Sequence, residues 1–141
     1  MNRLISGRPT LRHFMVMGMA WIVCVMPPMS VAEVGSSNVK NLSAQEAKDY
    51  LNENPTTLVL DVRTKVEFDE GHLDDAINID YFASDFTKRV AMLNSDETYL
   101  VHCRSGVRST KALTLLKEAG FRNLLHLDGG INAWRKNELQ D

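Results

Sequence analysis

The chain has 141 residues, 44% of them hydrophobic, enough for one domain with its own core and too few for several. Its 16 lysines and arginines stand against 18 aspartates and glutamates; three of the basic residues, Arg3, Arg8 and Arg12, precede residue 33, and no acidic residue does. The rest of the chain therefore carries 13 basic against 18 acidic side chains, a net charge near −5, which excludes a broad nucleic-acid surface and leaves positive charge only a local role.

The N-terminal stretch reads as an export signal. The three arginines form a positive lead, Met15 to Met26 is an uncharged apolar run too short to span a bilayer comfortably, and Ser30-Val31-Ala32 is a small-x-small cleavage site. The expectation is a signal peptide over residues 1–32, cleaved after Ala32, with the domain in the bacterial periplasm and not on a membrane. An uncleaved anchor is the competing reading; Pro27-Pro28 fits processing better than continued helix. Cleavage removes Cys24 and leaves Cys103 as the single cysteine, unable to form an internal disulfide.

Residues 33–38 are small and polar, a flexible lead-in to a domain over residues 39–141. Val39 to Leu42 suits a short strand. Ser43 and Glu46 then have the spacing of a capping box, which predicts a helix to about Asn52, stopped by Asn54-Pro55. Thr57 to Val62 reads as a strand buried on both faces. Thr64 and Glu67 repeat the capping-box spacing before a short helix, Lys65 to Glu70, and Ala76 to Ile79 is a third strand. Ser84 to Leu93 has helical spacing, Thr98 to Val101 is apolar and β-leaning, Lys111 to Ala119 is helical up to Gly120, Leu124 to Leu127 is the last strand, and Asp128-Gly129-Gly130 turns into a short helix carrying Trp134. Strands alternating with helices predict an α/β fold, a mainly parallel five-stranded sheet with helices on both faces and a site beyond the carboxyl ends of its strands.

At one such end stands His102-Cys103-Arg104-Ser105-Gly106-Val107-Arg108-Ser109. A cysteine between a strand and a helix start meets unpaired N–H groups and the positive end of the helix dipole, and both favour a thiolate, as do two nearby arginines. Gly106 permits a tight turn. A lone buried cysteine is commonly just a small core residue, but two arginines and two serines make a poor core segment. Ser105 and Ser109 suit donation to a bound anion, and Ser109 equally suits capping of the helix. Asp61 and Arg63 read as an ion pair bracing the loop. His72 reads as a turn residue, and His102, preceding Cys103 within a strand, is expected to face away from it. His72, His102, His126 and Cys103 lack paired metal-ligand spacing, so no metal or other cofactor is expected.

The sequence resembles the rhodanese family in four stretches: Leu60-Asp61-Val62-Arg63 with Glu67-Phe68; Gly71-His72-Leu73 with Ala76-Ile77-Asn78-Ile79; the loop Cys103 to Ser109; and Leu127-Asp128-Gly129-Gly130 with Ala133-Trp134. The nearest type is the small, exported, single-domain rhodanese. Asp75 departs from it, standing where the family usually has glycine. The resemblance implies a thiosulfate sulfurtransferase in which Cys103 carries a persulfide and passes sulfur to cyanide or a thiol. It further implies that N–H groups from Arg104 to Ser109, those of Gly106 and Val107 included, cradle the sulfur, and that Arg104 and Arg108 bind the sulfonate, Arg108 pointing inward. Two alternatives stand beside it: a persulfide carrier or redox module serving a partner such as a thioredoxin-like protein, and a cysteine phosphatase, whose loop is one residue longer between cysteine and arginine than the four residues between Cys103 and Arg108.

Overall fold

The computed structural model describes residues 38–140. The expected signal peptide, and the lead-in apart from Asn38, lie outside the described residues. Ten elements alternate along the chain: β1 Asn38–Leu42, α1 Ala44–Glu53, β2 Leu58–Asp61, α2 Lys65–Asp69, β3 Ile77–Asn78, α3 Phe86–Val90, β4 Thr98–His102, α4 Val107–Glu118, β5 Asn123–Leu127 and α5 Gly130–Glu138. The strands form one sheet in the order β1-β5-β4-β2-β3, every pair parallel.

Successive strand residues point to opposite faces, and the two faces build two cores. Leu60, Tyr99, Val101 and Leu124 pack with Phe86 and Val90 of α3 and with Ala112, Leu113 and Leu116 of α4. On the other face Val59, Leu100, Leu125 and Leu127 pack with Ala44 and Ala47 of α1 and with Ala133 and Trp134 of α5. Each fully buried Leu or Val contributes about 1.5–3 kcal/mol of transfer free energy, so the two layers, more than any one contact, hold the strand ends in place.

Both capping boxes form. Glu46 N donates to Ser43 Oγ at 3.3 Å while Ser43 N donates to Glu46 Oε2 at 2.8 Å; Glu67 N and Thr64 Oγ1, and Thr64 N and Glu67 Oε2, repeat the pattern at 3.3 and 3.1 Å. Two helices differ from the sequence expectation. The third is shorter than Ser84 to Leu93, for Asp85 occupies its N-cap without a side-chain cap bond. The fourth starts at Val107, four residues before Lys111, because Gly106 takes φ +99° and turns the chain straight from the loop into the helix. Ser109 thus lies in the first turn of α4 and caps nothing, and Gly106 is the N-cap. Asp75, in the place of the expected glycine, adopts φ +56°, the left-handed conformation that glycine takes most readily.

Candidate active site

Cys103 follows the last residue of β4, on the face packed by α4, and is 1% exposed at the floor of the loop. Its Sγ accepts the Gly106 N–H at 3.2 Å and lies 3.5 Å from Ser109 Oγ. Burial pushes the Cys103 thiol up, but hydrogen bonds from the Ser109 hydroxyl and from the N–H groups of Ser109, Ser105 and Gly106 outweigh it, leaving the pKa below the ordinary thiol value. The sulfur is thus prepared for negative charge mainly by backbone and hydroxyl dipoles.

The loop is oriented from behind by the start of α5. Ile131 N donates to Cys103 O at 2.9 Å and Asn132 N to Arg104 O at 3.2 Å. With those carbonyls held outward, the loop N–H groups turn toward the sulfur. The helix can come this close only because Gly130 lacks a side chain: a Cβ there would sit 2.4 Å from Cys103 O.

The sequence-derived candidates fall into distinct places. Arg63 Nε is 3.0 and 2.9 Å from the two Asp61 carboxylate oxygens, Arg63 Nη2 is 2.6 Å from Oδ2 and also donates to Gly71 O at 2.8 Å, and both residues are buried. This pair ties β2 to the turn after α2 and makes no contact with Sγ among its hydrogen bonds. His102 lies beside it, Nε2 3.7 Å from Asp61 Oδ2, and burial keeps its pKa below the ordinary value. His72 stacks on Phe68 with ring centroids 3.8 Å apart and reaches Phe68 O through Nδ1, as a turn residue would. Arg104, Ser105 and Val107 are exposed, and Arg104 pairs with no carboxylate among the described residues.

Arg108 brings in a residue that motif reading assigned only to a cap. Its Nη1 and Nη2 lie 2.6 and 2.7 Å from the two Glu67 oxygens, and its guanidinium sits 5.7 Å from the centre of the Phe82 ring. Glu67 therefore closes α2 and holds the loop arginine at once. Their separation of 41 positions leaves no local signal of the contact. His126 is the other residue missed. Strand alternation places it with Leu124 on the face of Cys103, opposite Leu125 and Leu127, and its Nε2 is 2.9 Å from Ser109 Oγ.

The sequence profile of the rhodanese-like domain matches residues 43–137, a span that holds the loop, both capping boxes and the Gly129-Gly130 turn. The chain belongs to the rhodanese-like domain family. This rhodanese-like domain is 37% identical over 100 residues to the probable adenylyltransferase/sulfurtransferase MoeZ of Mycobacterium tuberculosis, with 71% of the chain aligned; it spans only 26% of that relative. It is 42% identical over 90 residues to thiosulfate sulfurtransferase 16, chloroplastic, of Arabidopsis thaliana, covering 57% of this chain and 75% of the relative. Among solved structures it is similar to a rhodanese-related protein from Thermoplasma volcanium, with a TM-score of 0.61 and 28% identity over 70% of this chain and 92% of the other.

In this rhodanese-like domain the Glu67–Arg108 pair gives a pH-dependent brace. Hydrogen bonds from Arg108 pull the Glu67 pKa from 4.5 down to about 2. Because the folded value is depressed, the pair's stabilisation is complete above pH 4.5 and is lost as the pH falls toward about 2. Urea unfolding at a series of pH values is expected to show the native chain losing about 1–2 kcal/mol more across that window than Glu67→Gln, which keeps a capping side chain but no charge. Parallel curves for the two proteins would remove the brace.

Proposed function

We propose that the domain is a thiosulfate sulfurtransferase working through a Cys103 persulfide. The Cys103 thiolate attacks the outer sulfur of thiosulfate; a new S–S bond forms, the S–S bond of thiosulfate breaks, and sulfite leaves with the electron pair. A second nucleophile, cyanide or a thiolate, then attacks the outer persulfide sulfur and returns Cys103 to its thiolate. The observation that carries this reading is the convergence of Gly106 N–H, Ser109 Oγ and the neighbouring amides on a thiol of lowered pKa. Those dipoles suit a sulfur that is anionic both before and after loading. Arg104, exposed and without a carboxylate partner among the described residues, is the cation that meets the sulfonate first, and Arg108, steadied by Glu67, adds positive potential beside the sulfur.

A persulfide carrier is the second reading, with a protein such as a thioredoxin-like thiol as donor or acceptor. Val107 and Phe82 favour it, being large apolar side chains 63% and 68% exposed beside Arg108, which suits contact with another protein surface. Initial-rate kinetics separate the two. Parallel double-reciprocal lines for thiosulfate and cyanide, with turnover on the order of 1 per second or faster, are expected of the enzyme. Negligible turnover alongside rapid loading from a partner persulfide would favour the carrier. By the export signal read from residues 1–32, the work is done in the periplasm.

A further inference from the structure

His126 has no part in the chemistry above, yet it is linked to the sulfur. Ser109 Oγ lies 3.5 Å from Cys103 Sγ and 2.9 Å from His126 Nε2, and His126 Nδ1 lies 3.1 Å from Asn41 Oδ1 on β1. The single Ser109 hydroxyl proton has three acceptors around it, since Gly106 O is also 2.9 Å away. Asn41 Oδ1 can only accept, so the facing Nδ1 carries a proton. With His126 neutral, Nε2 is then a lone pair that competes with the sulfur for the Ser109 proton. With His126 charged, Nε2–H donates to Oγ and frees the hydroxyl proton for the sulfur.

We propose that His126 is a positioning residue that sets the ionisation of Cys103 through Ser109. The thiol proton passes to Ser109 Oγ as the Ser109 hydroxyl proton passes to His126 Nε2. Thiol and imidazole become thiolate and imidazolium, serine is unchanged, and the imidazolium is held on Asn41. The proposal rests on Cys103 acting as a nucleophile and goes beyond it by naming the group that takes its proton.

The surroundings fit the role. Burial holds the His126 pKa below its ordinary value, which keeps the resting ring neutral while weakening it as a base. The groups that act on the ring directly are the Gly106 carbonyl and Asp128, just after β5, while Lys117 from α4 lines the same groove and the neutral Asn41 faces Nδ1 from β1. The Gly106 carbonyl and Asp128 both favour the imidazolium. A groove of about 440 Å³ lined by Asn41, Thr110, Lys117, His126 and Asp128 gives the ring a path for proton exchange with solvent.

The test is the pH dependence of Cys103 alkylation by iodoacetamide, a reaction that needs no sulfur donor. In His126→Gln, which keeps a polar group near Ser109 but does not titrate, the apparent Cys103 pKa is expected to rise by about one unit and the rate near neutral pH to fall about tenfold. An unchanged profile overturns the proposal. Should that variant not fold, histidine NMR titration of the native chain and Cys103→Ser decides the matter: loss of the nearby thiolate is expected to lower the His126 pKa, and equal values in both proteins overturn the coupling. A native chain that shows the coupling but takes no sulfur from thiosulfate would keep the relay and remove the thiosulfate reading, so the two fail separately.

Discussion

Cys103→Ser is expected to fold as the native chain does and to lose all sulfur transfer, a drop of at least about 10³-fold in the thiosulfate and cyanide assay. The fold should survive because serine is no larger than cysteine and lands among N–H donors, with Gly106 N 3.2 Å from the present sulfur, so its hydroxyl is not stranded in an apolar site. Activity should not survive, for no other cysteine lies among residues 33–141 and no other described side chain receives this set of amide donors. Circular dichroism and urea unfolding check the fold, and thiocyanate release checks the chemistry. Transfer retained by the serine variant would mean that the sulfur is carried elsewhere.

Gly130→Ala is expected to have the largest effect on stability, about 3 kcal/mol, together with a fall in transfer rate of about 10²-fold. The added Cβ would lie 2.4 Å from Cys103 O, 2.7 Å from Arg104 C and 2.8 Å from Arg104 O. All three are backbone atoms of the loop, so relief requires moving the loop off the helix and breaking the bonds from Ile131 N and Asn132 N. The residue also sits at φ +61°, which disfavours any side chain. Gly129→Ala is the informative control. Its Cβ would meet the Ala133 Cβ at 2.7 Å, within α5 rather than on the loop, at φ +71°. That variant is expected to lose stability while the folded fraction keeps its transfer rate. If Gly130→Ala matched the native chain in urea midpoint and rate, the start of α5 would not be what orients the loop.

How far the sequence foretold this depended on whether the physics was local. The strand-helix alternation, the two capping boxes and the placing of a cysteine at a strand end all rest on neighbours within a few positions, and they appear in the fold as read. The start of α4 is not legible in the apolar periodicity, which Arg108, Ser109 and Thr110 break, because the helix is begun by the backbone freedom of Gly106. The contacts that complete the site join distant elements. Glu67 reaches Arg108 from α2, Ile131 holds Cys103 O from α5, and His126 reaches Ser109 from β5. Only the alternation along β5 carried a hint of the last, since it puts His126 on the face of Leu124, which is also the face of Cys103, and Leu125 and Leu127 on the other. Asp61 and Arg63, read as an ion pair bracing the loop, do form a buried pair, but Arg63 reaches on to Gly71 O in the turn after α2 and not to the loop.

Intact mass spectrometry after incubation with thiosulfate tests the sulfur-carrier account most directly. The native chain is expected to gain one sulfur atom, about 32 Da, to lose it on addition of cyanide or a thiol, and to gain nothing when residue 103 is serine. No gain in the native chain, or a gain that persists in Cys103→Ser, would contradict it.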